Sequence, residues 1–239
     1  MQGSLKLTIV FHSQFRLGHT PNGGRAMPHI QSLLSLAVSL FVLALPVAAQ
    51  DVWITPDMPF VELEIGEEFF VIERNPDIDA VIPAAFAKTS RPCPPFCVQP
   101  MQVAEGVETF GELELLAFME NEVQSGAGLL IDARTPEFYF AGTIPGSINL
   151  PFNLLTAAAG NPFIDPILTQ LGGSKRNDGS WDFANAKDLA LFCNGSWCGQ
   201  SPRAINNLLS VGYPAEKLYY YRGGMQNWLM LGMTMLIPE

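Results

Sequence analysis

Residues 187–212 read KDLALFC, NGSWCGQ and SPRAINNLLSVG in succession. The first block, Lys187–Cys193, is a short apolar run of the buried-strand type. The second, Asn194–Gln200, holds two glycines and a second cysteine, and reads as a loop. The third opens a helix: Ser201 suits the N-cap, Pro202 the first helical position and Gly212 the stop. Ala204, Ile205, Leu208 and Leu209 form its apolar face. This order puts Cys193 at the carboxyl end of a strand, where open α/β sheets bind their ligands.

The flanking sequence continues the alternation. Glu112–Val123 (ELELLAFMENEV) has helical spacing, with Leu113, Leu116 and Ala117 on its face and a change of face near Met119 and Glu120. Gly128–Asp132 (GLLID) and Lys217–Tyr221 (KLYYY) are strand-like, and a helix is expected around Trp228. Strands alternating with helices imply a parallel sheet flanked by helices. Tyr219, Tyr220, Tyr221 and Trp228 are expected in strand and core packing. Residues 51–105 form a lead-in. Phe60–Ile72 (FVELEIGEEFFVI) splits around Gly66 into a predicted hairpin, and the prolines of Ser90–Pro100 (SRPCPPFCVQP) exclude helix there.

Composition narrows the chemistry. The chain has 239 residues, enough for one or two domains, and 48% are hydrophobic, so a real core is expected. Of 13 basic residues, three (Lys6, Arg16, Arg25) lie in residues 1–49, which hold no acid; the remainder has 10 basic against 23 acidic residues. Nucleic acid and anionic membranes reward clustered Lys and Arg, so neither is an expected partner. The three histidines, His12, His19 and His29, all precede residue 30. Leu33–Leu45 is an apolar run followed by Pro46-Val47-Ala48-Ala49, the pattern of a signal peptide cleaved before Gln50, with Met27 as the expected start. The run is short for a bilayer span, so no stable membrane anchor is expected after cleavage. The cleaved protein would hold no histidine. Histidine triads, Cys-His dyads and His-ligated metals are then excluded. An exported, periplasmic location is expected, where disulfides persist.

Four cysteines remain: Cys93, Cys97, Cys193 and Cys198. The glycine loop and helix start after Cys193 offer unpaired backbone N–H groups, a cradle for an anion that also lowers a thiol pKa. Such a thiolate is a nucleophile without histidine. The bland alternatives are a buried core cysteine or a Cys193–Cys198 disulfide. Cys93 and Cys97 are disulfide candidates, structural or redox-active, or a sulfur acceptor for the loop. The C-x3-C and C-x4-C spacings differ from the C-x2-C of zinc ribbons, and no metal or cofactor is expected.

Four motifs in order resemble the rhodanese family: Asp132-Ala-Arg134-Thr-Pro-Glu137-Phe, then Gly142-Thr-Ile-Pro-Gly146-Ser-Ile-Asn-Leu-Pro151, then Cys193 at a strand end, then Arg222-Gly223-Gly224-Met-Gln-Asn-Trp228. The resemblance covers about residues 106–236. It implies a rhodanese-like α/β domain there, preceded by an extension over 50–105 and the signal peptide over 1–49. It also implies a thiosulfate sulfurtransferase-type activity. A cysteine thiolate takes sulfur from a small sulfur-containing anion, holds it as a persulfide, and passes it to a thiol, cyanide or protein acceptor. On this reading Cys193 is the nucleophile, because it ends the strand. Cys198 is the alternative nucleophile, since Cys198 and Arg203 have the C-x4-R spacing of the family's shorter loop, or else a resolving thiol. Asn194, Gly195, Ser196, Trp197, Gly199, Gln200, Ser201 and Arg203 form the cradle, with Trp197 as a wall and Arg203 as a holder of the anion. Asp132 and Arg134 are expected as an architectural and substrate-edge pair.

The chain departs from the family where Thr143 stands in place of the usual histidine. Its loop is also about two residues longer than the common form. The C-x5-R spacing of phosphatases on this fold is absent from both cysteines. Two other functions fit the same residues: a thiol–disulfide redox protein, and a non-catalytic binding module. A bonded Cys193–Cys198 would favour the redox protein over the transferase; an accessible thiolate would favour the transferase over the binding module.

Overall fold

Strand alternation organises the molecule. In the computed structural model, which describes residues 51–156 and 160–239, β8 (Asp188–Phe192) runs through the middle of a sheet and is buried on both faces. Successive side chains of a strand point to opposite faces. Ala190 and Phe192 accordingly join one core, and Leu189 and Leu191 the other.

The sheet has five parallel strands in the order β3 (Glu108–Phe110), β9 (Leu218–Tyr221), β8, β4 (Gly128–Asp132) and β5 (Ser147–Asn149). α1 (Glu112–Phe118) and α5 (Gly224–Met230) cover the first face, where Leu115, Leu116, Met225 and Trp228 meet Phe192 and Tyr221. α3 (Ile164–Gln170) and α4 (Gln200–Ser210) cover the second, where Leu168, Ala204, Ile205 and Leu208 meet Leu191 and Tyr220. The short α2 (Pro136–Phe140) links β4 to β5, and a small ribbon of β6 (Ser174–Lys175) and β7 (Trp181–Asp182) precedes β8. The parallel α/β architecture read from the alternation is the one observed.

The predicted hairpin forms. β1 (Phe60–Ile65) pairs antiparallel with β2 (Glu68–Glu73), and Gly66, at φ +65°, makes the turn that other residues enter with strain. Val61, Leu63 and Ile72 of the hairpin, with Phe86 after it, lie in the same core as Trp228. Residues 51–105 therefore complete the first face of the sheet. The expected signal peptide, its apolar run and the three histidines lie outside the described residues. Among the described residues no helix is long and apolar enough to cross a membrane.

Three local expectations are corrected. α1 buries Leu115, Leu116 and Phe118, while Leu113 is exposed. The helix is short and widens into a π-turn over Met119–Val123, with Gln124 N–H reaching Met119 O five residues back, so a regular 3.6-residue face misplaces the stripe. The strand at Lys187 begins at Asp188 and ends at Phe192, leaving Cys193 as the first loop residue. The helix after the loop is capped by Gly199, not Ser201, and Pro202 is its third residue. The first four N–H groups of a helix have no partner within it, so proline's missing donor is tolerated there as well.

All five tyrosines have phenol pKa values raised chiefly by burial. Tyr220, whose Oη lacks a partner among the described residues, is pushed up to about 12. Folding disfavours the tyrosinate, so this contribution to stability is complete below the unfolded value near 10 and disappears as pH climbs from 10 towards 12. Tyrosinate absorbance in the folded protein is expected to appear late, above pH 10, with the urea midpoint falling over the same range. Ordinary titration of all five phenols near pH 10 in the folded protein would contradict this packing.

Candidate functional site

The loop Cys193–Gly199 hangs between the end of β8 and the start of α4, both buried at their contact with it. Cys193 is 2% exposed and Cys198 5%. The two sulfurs are bonded, with Cα atoms 6.2 Å apart, within the range of ordinary disulfides. Cys198 N–H donates to Gly195 O at 2.9 Å, which tightens the loop. The N–H groups of Gly195, Ser196, Trp197, Gly199 and Gln200 find no acceptor among the described residues. Ser201 Oγ, fully buried in the first turn of α4, also has no partner there. Several donors at a helix N-terminus, beside sulfur, form an environment that favours an anion.

α5 clamps the loop from one side. Met225 N–H donates to Cys193 O at 3.0 Å and Gln226 N–H to Asn194 O at 2.9 Å. This contact requires Gly224: at φ +55°, a Cβ there would lie 2.3 Å from Cys193 O and 2.7 Å from Gly195 N. Trp197 Nε1–H donates to Gln226 Oε1 at 2.7 Å, tying the loop's tip to the same helix.

A buried ion pair supports the loop from below. Asp132 ends β4, the neighbour of β8. Its Oδ1 accepts from Arg134 Nε at 2.8 Å and its Oδ2 from Arg134 Nη2 at 2.5 Å. Arg134 Nη1 donates to Asn194 Oδ1 at 3.1 Å and Nη2 to Gly142 O at 2.7 Å. Thr143 Oγ1 donates to Asp132 Oδ2 at 2.8 Å and lies 2.7 Å from Ser147 Oγ. Asp132, Arg134 and Thr143 have no exposed surface. The architectural half of the expectation for Asp132 and Arg134 fits this placement. The substrate-edge half is corrected: groups sealed under the loop, with their polar atoms committed to protein partners, do not reach a substrate.

The lead-in covers the loop from outside. Gln99 N–H donates to Ser196 O at 2.8 Å, and Gln99 Nε2 donates to Cys97 O at 2.8 Å. Arg222 holds the same segment by donating to Gln99 O from Nε at 3.2 Å and Nη2 at 2.9 Å. Phe96 meets Trp197 edge to face at 5.2 Å. The Arg91 guanidinium lies 4.5 Å over the Trp197 ring and 4.9 Å over that of Phe96. Cys93 and Cys97 are bonded to each other, with Cα atoms 4.7 Å apart. Beside this contact, Thr109, Glu112, Ser196, Arg222 and Gln226 line a cleft of about 370 Å³. A larger cleft, about 770 Å³, is lined from residues 73–83 and 229–235 and includes no loop residue.

Most of the predicted cradle is thus gathered in one place: Cys193, Asn194, Gly195, Ser196, Trp197, Cys198, Gly199, Gln200 and Ser201. Arg203, expected as the holder of the anion, follows them in α4. It is exposed, and its guanidinium carbon lies 5.9 Å from the Phe152 ring. The earlier helix start moves it to the fourth helical residue, beyond the free N–H groups. Sequence reasoning missed Arg91 and Gln99, which enclose the loop from distant positions and follow no local spacing; Arg222 and Gln226 stand in the fourth motif, which gave them no role at the loop. The four cysteines form two separate pairs, and no cluster of three or more metal-ligating side chains occurs among the described residues.

The family model of the rhodanese-like domain matches residues 114–231. An HTH-type transcriptional regulator of Mycobacterium tuberculosis is 27% identical over 110 residues, 46% of this chain. The chain spans 38% of that relative's length. A Rhodopseudomonas palustris protein of unknown function, described as a possible tyrosine phosphatase, is 19% identical over 56% of this chain and 88% of its own, with a TM-score of 0.40. A thiosulfate sulfurtransferase from Pseudomonas aeruginosa is 18% identical over 56% of this chain and 21% of its own, with a TM-score of 0.37. With its motifs arranged in order around the loop between β8 and α4, and with the family match over residues 114–231, that segment of the chain is a rhodanese-like domain.

Proposed function

We propose that the loop is a sulfur-transfer site in which Cys193 carries a persulfide and Cys198 resolves it. The observation behind this reading is the placement of Cys193 directly after β8, among unpaired backbone N–H groups and within bonding reach of Cys198. In the reduced form the Cys193 thiolate attacks the outer sulfur of thiosulfate. The sulfur–sulfur bond of the donor breaks, sulfite leaves with the electron pair, and a Cys193 persulfide forms. The loop N–H groups and the start of α4 stabilise its negative charge. Cyanide or a thiol can then attack the terminal sulfur and restore the Cys193 thiolate. Alternatively, the Cys198 thiolate attacks Cys193 Sγ, hydrosulfide leaves, and the Cys193–Cys198 disulfide forms.

A second reading is a thiol–disulfide redox protein. The bonded Cys193–Cys198 pair favours it, because an oxidised loop holds no resting nucleophile. We also infer an exported protein, from the apolar run Leu33–Leu45 and from two disulfides, which persist in oxidising compartments.

Intact mass and peptide mapping separate the readings. The protein is fully reduced, freed of reductant and incubated with thiosulfate. One extra sulfur on the peptide bearing Cys193, removable by cyanide, is the expected result. Uptake on the Cys198 site alone would reverse the two roles. No uptake, with the pair returning to a disulfide, would overturn sulfur transfer and leave the redox reading.

A further inference from the structure

The two disulfides differ in access. Cys193 and Cys198 are buried, whereas Cys93 is exposed and Cys97 half-buried. The outer pair belongs to the segment Arg91–Gln99 that lies on the loop holding the inner pair. Phe96 and Trp197 touch, and each directly precedes a cysteine, Cys97 and Cys198. The backbones meet as well: Gln99 N–H donates to Ser196 O at 2.8 Å, and these residues stand two positions from Cys97 and Cys198 respectively. Gln99 spans the same gap, bonding Cys97 O and Ser196 O, and its Nε2 lies 3.6 Å from where a Cβ on Gly199 would sit. The Arg91 guanidinium, stacked on both aromatic rings, pins the segment that carries the outer pair against the loop.

We propose that Cys93 and Cys97 form an electron relay that reduces the buried Cys193–Cys198 disulfide and so switches the loop on. A dithiol reductant from solution meets the exposed pair, becomes a disulfide itself, and leaves Cys93 and Cys97 as thiols. The Cys97 thiolate attacks Cys198 Sγ; the Cys193–Cys198 bond breaks and Cys193 leaves as a thiolate. A Cys97–Cys198 mixed disulfide now joins the segment to the loop. The Cys93 thiolate then attacks Cys97 Sγ, expelling the Cys198 thiolate and restoring the outer disulfide. Two electrons have moved inward, and the outer pair is ready for another reductant. The relay deepens the sulfur-transfer reading, since it would supply the Cys193 thiolate which that reading needs, but the exchange itself does not depend on sulfur transfer.

The test follows the cysteines of the full-length oxidised protein after one equivalent of dithiothreitol, by acid quenching, alkylation and peptide mapping. In the native chain the electrons are expected on Cys193 and Cys198, with Cys93–Cys97 bonded again. In the Cys93→Ser/Cys97→Ser variant, reduction of the inner pair is expected to slow at least tenfold when folded, and to match the native chain's rate when both are unfolded in urea. An equal or faster rate in the folded variant would overturn the relay. So would electrons that remain on Cys93 and Cys97 in the native chain. A single Cys93→Ser variant removes the final step, and a cross-linked peptide joining Cys97 to Cys198, with Cys193 free, is expected; an intact Cys193–Cys198 bond beside a free Cys97 would count against the relay. Thiosulfate uptake by the fully reduced native protein is measured in parallel. Loss of that uptake with the relay intact would overturn sulfur transfer alone, and the reverse pattern would overturn the relay alone.

Discussion

The Gly224→Ala variant is expected to lose sulfur uptake at Cys193 and a large part of its stability together. Two costs coincide at this position. An L-residue at φ +55° costs roughly 1–2 kcal/mol relative to an ordinary backbone conformation. The added Cβ would also lie 2.3 Å from Cys193 O and 3.0 Å from Asn194 C, both backbone atoms that cannot swing aside like a side-chain end. Overpacking in such a place adds roughly 1–3 kcal/mol. The strain can be relieved by separating α5 from the loop. That breaks the bonds from Met225 N–H to Cys193 O and from Gln226 N–H to Asn194 O, which fix the carbonyls of the two residues at the loop's entry. A urea midpoint lowered to match a loss on the order of 3 kcal/mol, with sulfur uptake below a tenth of the native level, is expected. Gly223→Ala is a useful comparison, because Gly223 has an ordinary φ of −59° and an added Cβ would stand no closer than 3.0 Å to its neighbours, none of them an atom of the loop. Equal effects of the two substitutions on uptake would refute the clamp.

The sheet was legible in the sequence because its central strands are buried on both faces. Gly128–Asp132 and Asp188–Phe192 must be apolar runs, and the helix at Ala204–Leu209 must present one apolar stripe, since each element faces a core. The edge strands were not legible by the same logic. Glu108–Phe110 and Ser147–Asn149 are three residues each, too short to establish a period. The cysteine loop was visible through local order: strand end, glycines, helix start. What encloses it was not. Arg91 and Gln99 come from about a hundred residues earlier, and their contacts depend on how the lead-in folds back over the sheet. Thr143 is instructive in a different way. The resemblance marks only a missing imidazole there, but in the structure its hydroxyl donates to the buried Asp132 and meets Ser147, a role that emerges only when β4 and β5 are paired.

That buried network leads to the second large effect. Asp132→Asn is expected to destabilise the domain strongly although it changes few atoms. The native carboxylate accepts from Arg134 Nε, Nη2 and backbone N–H, and from Thr143 Oγ1. An amide in its place carries no charge and turns an N–H2 group towards donors. Arg134 would remain as an uncompensated cation with no exposed surface. Breaking a buried pair from one side typically costs about 3–5 kcal/mol. Domains have only about 5–15 kcal/mol of net stability, so much of the margin would be gone. Removing both charges is a milder change: Asp132→Leu/Arg134→Met leaves no stranded cation, and buried pairs replaced by apolar groups are often close to neutral. The double variant is therefore expected to melt at a higher urea concentration than Asp132→Asn. It still lacks the Arg134 Nη1 bond to Asn194 Oδ1, so the loop loses its support from below and sulfur uptake should remain depressed despite the recovered stability. Recovery of both properties together would mean that the pair stabilises the sheet without positioning the loop. Recovery of neither would mean that the polar network, and not the stranded charge, accounts for the loss.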